Sequence, residues 1–93
     1  MRVFVLAECA PGEAGRVADG ILQLRIRGFT VFSADAVIGP FDVIAIVETT
    51  DLEALALAVT ERMPDGVKAT VTCVEATPQQ SGGRQPKGIL KAA

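Results

Sequence analysis

Hydrophobic positions in residues 1–76 fall into six segments that switch between two periods. Residues 2–8, RVFVLAE, are β-branched and aromatic in a short run, which predicts a strand. After the break at APGE, residues 13–25 place Ala14, Val17, Ala18, Ile21 and Leu22 at helical spacing, with Glu13, Arg16, Asp19 and Gln23 outside. Gly20 weakens that helix by about 1 kcal/mol relative to Ala, a cost that close packing against a strand would offset. Gly28 is placed to end it as a C-cap, with Arg25 and Arg27 near the negative end of the helix dipole. Residues 29–37, FTVFSADAV, predict a second strand, and Gly39-Pro40 turns the chain into a third at 41–49. A second helix is predicted over 50–63, N-capped by Thr50 or Asp51, with Leu52, Leu55, Ala56, Val59 and Met63 as its apolar stripe. Pro64-Asp65-Gly66 stops it, and VKATVTCVEA, 67–76, predicts the fourth strand.

The order βαββαβ predicts a ferredoxin-like α+β fold: a four-stranded antiparallel sheet with two helices on one face. On this plan the first strand lies between the third and fourth, parallel to the third and antiparallel to the fourth. Cys9 and Cys73 then fall toward opposite ends of the sheet, too far apart for a disulfide. Domain organisation follows: a folded body over 1–76 and a basic tail over 77–93 rich in Pro, Gly and Gln, with the look of a disordered or loosely docked segment.

Two helices cover one face of such a sheet, yet both faces are apolar. The first strand alternates Val3, Val5 and Ala7 against Phe4, Leu6 and Glu8; the third alternates Val43, Ala45 and Val47 against Ile44, Ile46 and Glu48. A solvated face would be polar at alternate positions. A bare face of this kind would be a contiguous apolar patch, rare in soluble monomers. A second copy packed sheet to sheet about a two-fold axis covers it most simply, so the pattern predicts a homodimer; the competing cover is the tail folded back.

Composition narrows the chemistry. Histidine is absent, which removes the commonest general base and metal ligand, and the two cysteines have no metal spacing. No metal and no cofactor is expected. Residues 1–76 hold all 11 acids against six bases, a net of −5, and four Phe are the only aromatics. Both facts argue against nucleic-acid binding by the body. The tail carries Arg84, Lys87 and Lys91 and no acid, a net of +3. No apolar stretch approaches the roughly 20 residues of a membrane span. A cytoplasmic protein with reduced thiols is expected.

VIGPFDVIAIVETTDLEALALAV (37–59) followed by GVKATVTCV (66–74) resembles the effector-binding, or RAM, domain of the Lrp/AsnC transcriptional regulator family, and VFVLAECAPGEAGRVADGI fits its first strand and helix. The resemblance covers roughly residues 2–75. It rests on a Gly-x-Phe/Tyr-Asp turn before an apolar strand and on Gly-Val-x-x-Thr-x-Thr at the last strand. Met1 opens directly onto the first strand, so the expected form is the stand-alone domain without the family's helix-turn-helix, and DNA binding is not carried over. The resemblance implies a dimer through the sheet, assembly into an octamer or other ring of dimers, and a small effector, usually an amino acid, bound between dimers. It also implies mixed assembly with a related regulator. The matching positions are Gly39, Phe41 and Asp42 at the turn and Thr70 and Thr72 on the last strand. Asp42 supplies a partner for an ammonium group; turn N–H groups and the Thr70 and Thr72 hydroxyls supply donors for a carboxylate. The alternatives stay open: Asp42 as a turn stabiliser, Gly39 as a backbone requirement, Thr70 and Thr72 as ordinary strand residues. Pro40 removes one N–H donor from the turn.

No catalytic residue is assigned. A small dimeric ferredoxin-like enzyme of the monooxygenase or isomerase type needs polar groups converging between sheet and helices, for which Ser33, Asp35, Glu8 and Glu48 are the candidates. A purely structural oligomerisation module is the third reading.

Overall fold

The computed structural model describes residues 1–76; the 77–93 tail lies outside the described residues. The elements are β1 (Arg2–Cys9), α1 (Ala14–Leu22), β2 (Phe29–Ala36), β3 (Val43–Thr49), α2 (Leu52–Glu61) and β4 (Val67–Val74). The four strands form one sheet in the order β2-β3-β1-β4. This is the ferredoxin-like α+β fold expected from the pattern.

One expectation fails. β1 runs antiparallel to β3, with Val5 opposite Ala45 and Ala7 opposite Val43, and also antiparallel to β4, with Val5 opposite Thr72. The reason is topological. The strand–helix–strand crossover from β1 makes β2 parallel to it, and the short turn out of β2 reverses β3.

Register sets the two faces. Val3, Val5, Ala7, Val43, Ala45 and Val47 are buried on the helix side, under Val17, Ala18 and Ile21 of α1 and Ala54, Leu55 and Ala58 of α2. Their neighbours Phe4, Leu6, Ile44 and Ile46 lie on the other face, half-buried by one another and uncovered by either helix. Val71 opposite Leu6 and Cys73 opposite Phe4 extend that face, both exposed. Phe32 sits at a β-bulge between Val31 and Ser33 and is 56% exposed.

The helices are shorter than the apolar spacing suggests. α1 ends at Leu22 with Gln23 as its C-cap; Gly28 lies beyond, in a tight turn closed by Phe29 N–H donating to Ile26 O. There its φ is +80°, and an added Cβ would sit 2.5 Å from Thr50 Oγ1. Arg25 does serve the helix end, donating to Leu22 O and Leu24 O. Asp51, not Thr50, caps α2, its side chain accepting from Ala54 N–H at 2.8 Å. The α2 stripe is rotated from expectation: Leu55 is buried, but Ala54 and Ala58 accompany it and Leu52 is 66% exposed. So many of the helix's residues are apolar that spacing alone did not single out the inner face. Gly20 is a close-approach position, but against Pro64 in the α2–β4 turn rather than a strand; a Cβ there would meet the proline ring at 2.7 Å.

Candidate functional site

The Gly39–Asp42 turn leads into β3 at the sheet end where β1 finishes. Val37 N–H donates to Asp42 O, drawing the turn closed, and Asp42 N–H donates to Ala7 O. The Asp42 carboxylate then reaches β1: its Oδ2 accepts from Cys9 N–H at 2.8 Å. That N–H points to the β3 side of β1, one step beyond the last β1–β3 pair, Ala7 with Val43. The side chain thus supplies an acceptor that the sheet does not. Asp42 therefore stabilises structure, by a clip between two strands rather than within its own turn. A carboxylate has about four acceptor positions, so one N–H leaves capacity for a further donor.

The rest of the turn is presented outward. Ile38 is fully exposed, Gly39 and Pro40 are exposed, and Phe41 is half-buried. Gly39 is not the backbone requirement expected of it: its φ is outside the left-handed region, and an added Cβ would meet nothing within 4 Å. No contact within the described chain explains glycine at this position.

Thr70 and Thr72 share a face, as their spacing requires. Pairing with Ala7 and Val5 puts them on the helix side of edge strand β4, half-buried. Thr70 lines a groove of about 380 Å³ with Met63, Pro64 and Lys68. Strand β1 separates them from the Asp42 turn, so the two groups are two strand spacings apart, about 10 Å between backbones. Both lie toward the same end of the sheet, without converging on one cavity.

Cys9 titrates abnormally at this end. Burial pushes its thiol above the ordinary value of 9.0, with the charges of Asp42 and Glu13 adding to it and Arg16 opposing. No group of three His, Cys, Asp or Glu among the described residues could hold a metal ion. No helix among them is long and apolar enough to cross a membrane. The four polar side chains that an enzyme would need do not enter the space between sheet and helices. Ser33 and Asp35 face Ile46 and Ile44 on the open face, and Glu8 and Glu48 share it; Glu48 accepts from the Met1 ammonium at 2.8 Å. Sequence reasoning passed over the Cys9 N–H, a donor hidden from any motif, and the outward Ile38.

No family model and no curated protein matches the chain. Solved structures do. TTHA0845 from Thermus thermophilus is 28% identical with a TM-score of 0.68, over 81% of this chain and 94% of its own. FFRP-DM1 is 27% identical with a TM-score of 0.69, over 81% of this chain and 97% of its own. Escherichia coli AsnC shares the fold at 13% identity and a TM-score of 0.67; the match takes in 99% of this chain and 55% of AsnC. The described body thus shares the fold of AsnC and is similar over most of its length to the small chains TTHA0845 and FFRP-DM1, consistent with a RAM-like domain.

Proposed function

We propose that the chain is a non-enzymatic module that binds a small metabolite, an amino acid, and works as an oligomer. The observation that carries this reading is the open sheet face. Phe4, Leu6, Ile44, Ile46 and Val71 form an apolar surface that neither helix covers. A two-fold copy packed on it would bury a surface of the size typical of specific interfaces, about 800 Å² per partner. At about 25 cal/mol per Å² the gross gain from such burial would be large, with association entropy cancelling much of it. On this reading dimers assemble further into a ring, and the outward Ile38–Phe41 turn is the segment assigned to the contact with a neighbouring dimer. In that setting Asp42 receives the ammonium of the effector while keeping its bond to Cys9, and Gly39 leaves room for close approach. Thr70 and Thr72 of the same or an adjoining subunit offer hydroxyls to the carboxylate. Mixed assembly with a related regulator passes the signal on, with no nucleic-acid contact by this chain.

Sedimentation at physiological salt, combined with calorimetry against the twenty amino acids, tests the reading. A dimer or larger ring that binds at least one amino acid supports it. A monomer at micromolar concentration removes the interface argument. An oligomer that binds none at millimolar concentration leaves a structural module and removes the sensor.

A further inference from the structure

At the opposite end of α1 from the Asp42 turn, residues 22–31 enclose a second groove, of about 530 Å³. Its walls are Leu22, Leu24, Ile26 and Val31, with Arg25 and Arg27 among them. The local sequence QLRIRG explains the arrangement. Leu24 and Ile26 turn inward, half-buried against the core, while the alternate arginines stay exposed. The Ile26–Phe29 bridge then folds the segment back onto the start of edge strand β2.

The charge here runs against the body. Residues 1–76 carry a net of −5, yet the groove is lined by two guanidinium groups and no carboxylate. The ion pairs among the described residues join Met1 to Glu48 and Arg16 to Glu13, and leave Arg25 and Arg27 out. Arg25 uses one nitrogen on the carbonyls of Leu22 and Leu24, and the rest of its N–H fork is unengaged. Arg27 also borders a smaller hollow that carries Asp51 and Glu53, which makes Arg25 the firmer anion contact and Arg27 the second.

We propose that this groove is a binding site for a short aliphatic carboxylate of branched or straight chain that carries no amino group. The carboxylate pairs with the arginine fork, and the alkyl tail lies along Leu22, Leu24, Ile26 and Val31. The selection against an amino acid follows from the lining. An ammonium group placed here would find two cations and no carboxylate to receive it. The site is independent of the Asp42 reading: the turn offers a carboxylate for an ammonium group, and this groove offers the converse.

The probe is 4-methyl-2-oxopentanoate, with leucine as the comparison because the two share carboxylate and side chain. Amide shifts of the ¹⁵N-labelled full chain are followed during each titration. The oxo acid should move amides within 22–31 with half-saturation on the order of 1 mM, as a ligand of this size allows. Leucine should leave them in place; leucine bound at the turn instead would move 38–43. Arg27→Gln, which breaks no bond among the described residues, should weaken the oxo acid several-fold, and Arg25→Gln with Arg27→Gln by about tenfold or more. Arg25→Lys, keeping the charge and a donor for the helix end, should retain binding. The proposal is overturned by an oxo acid that leaves 22–31 unmoved at about ten times that concentration. It is equally overturned by leucine moving 22–31 as strongly, or by unchanged affinity in a well-dispersed Arg27→Gln spectrum.

Discussion

Replacing Asp42 separates its two roles. Its Oδ2 accepts from Cys9 N–H at 2.8 Å, and Cys9 is 8% exposed, so water does not readily replace the lost acceptor in Asp42→Ala. An unsatisfied buried donor costs about 1–3 kcal/mol. For a domain of this size each kcal/mol lowers Tm by roughly 4–8 °C, so a loss near 2 kcal/mol shifts the transition by about 8–16 °C. Asp42→Asn keeps an acceptor oxygen in place and forfeits only the charge assistance, about 1 kcal/mol. Urea and thermal unfolding of the three proteins, followed by circular dichroism at one fixed protein concentration, give both numbers; the fixed concentration matters because assembly is linked to stability. Calorimetry with an amino acid then reads the second role. Asp42→Asn should stay folded and lose the ammonium partner, which Asp42→Ala alone could not separate from damage to the fold. If Asp42→Ala unfolds within about 0.5 kcal/mol of the parent, the clip to β1 contributes nothing and the reasoning fails.

Four further outcomes are expected. Ile46→Lys places a charge in the centre of the open sheet face, and sedimentation should show self-association weakened about 100-fold in Kd with the helical content kept; an unchanged oligomer would move the interface elsewhere. Gly20→Ala sets a Cβ 2.7 Å from the Pro64 ring, and the overpacking should outweigh the gain in helix propensity for a net loss of about 1–2 kcal/mol; a stabilised variant would mean that the contact is slack. In the dissociated Ile46→Lys variant the thiols should differ in reactivity, with exposed Cys73 alkylated first and buried Cys9 protected, and Cys73 should be slower in the assembled parent. Because the folded Cys9 pKa is raised, its contribution to stability is complete below the ordinary 9.0 and is lost as pH rises through the folded value, so the unfolding free energy of the parent relative to Cys9→Ala should decline above about pH 9.

Much of the fold was legible because two periods carry it. The alternation in β1 and β3 separated Val3, Val5, Val43 and Val47 from Phe4, Leu6, Ile44 and Ile46, and the structure shows that the first set lies under the helices. The double-faced strands also announced the uncovered sheet. What escaped depends on neighbours distant in sequence. Gly20 against Pro64 and Gly28 against Thr50 are tertiary contacts, and no local rule distinguishes them from a strand contact or a C-cap. In α2 the abundance of Leu and Ala blurred the stripe, so Leu52 was placed inside although it is exposed. The candidate site was legible as residue types only. Asp42 was marked out by its turn, but its bond to Cys9, 33 residues away, is visible only once β1 and β3 are paired.

The bulge in β2 acts as a frameshift in the language of the sheet. Before it, Val31 faces Val47; after it, Ser33 faces Ile46, as though Phe32 were not counted. Remove Phe32 and every remaining pair would keep its partner in a ladder without interruption. The residue is a spare letter for pairing, and it is a phenyl ring more than half exposed at a sheet edge. A one-residue deletion there therefore edits the surface offered to other molecules while leaving the message of the fold intact.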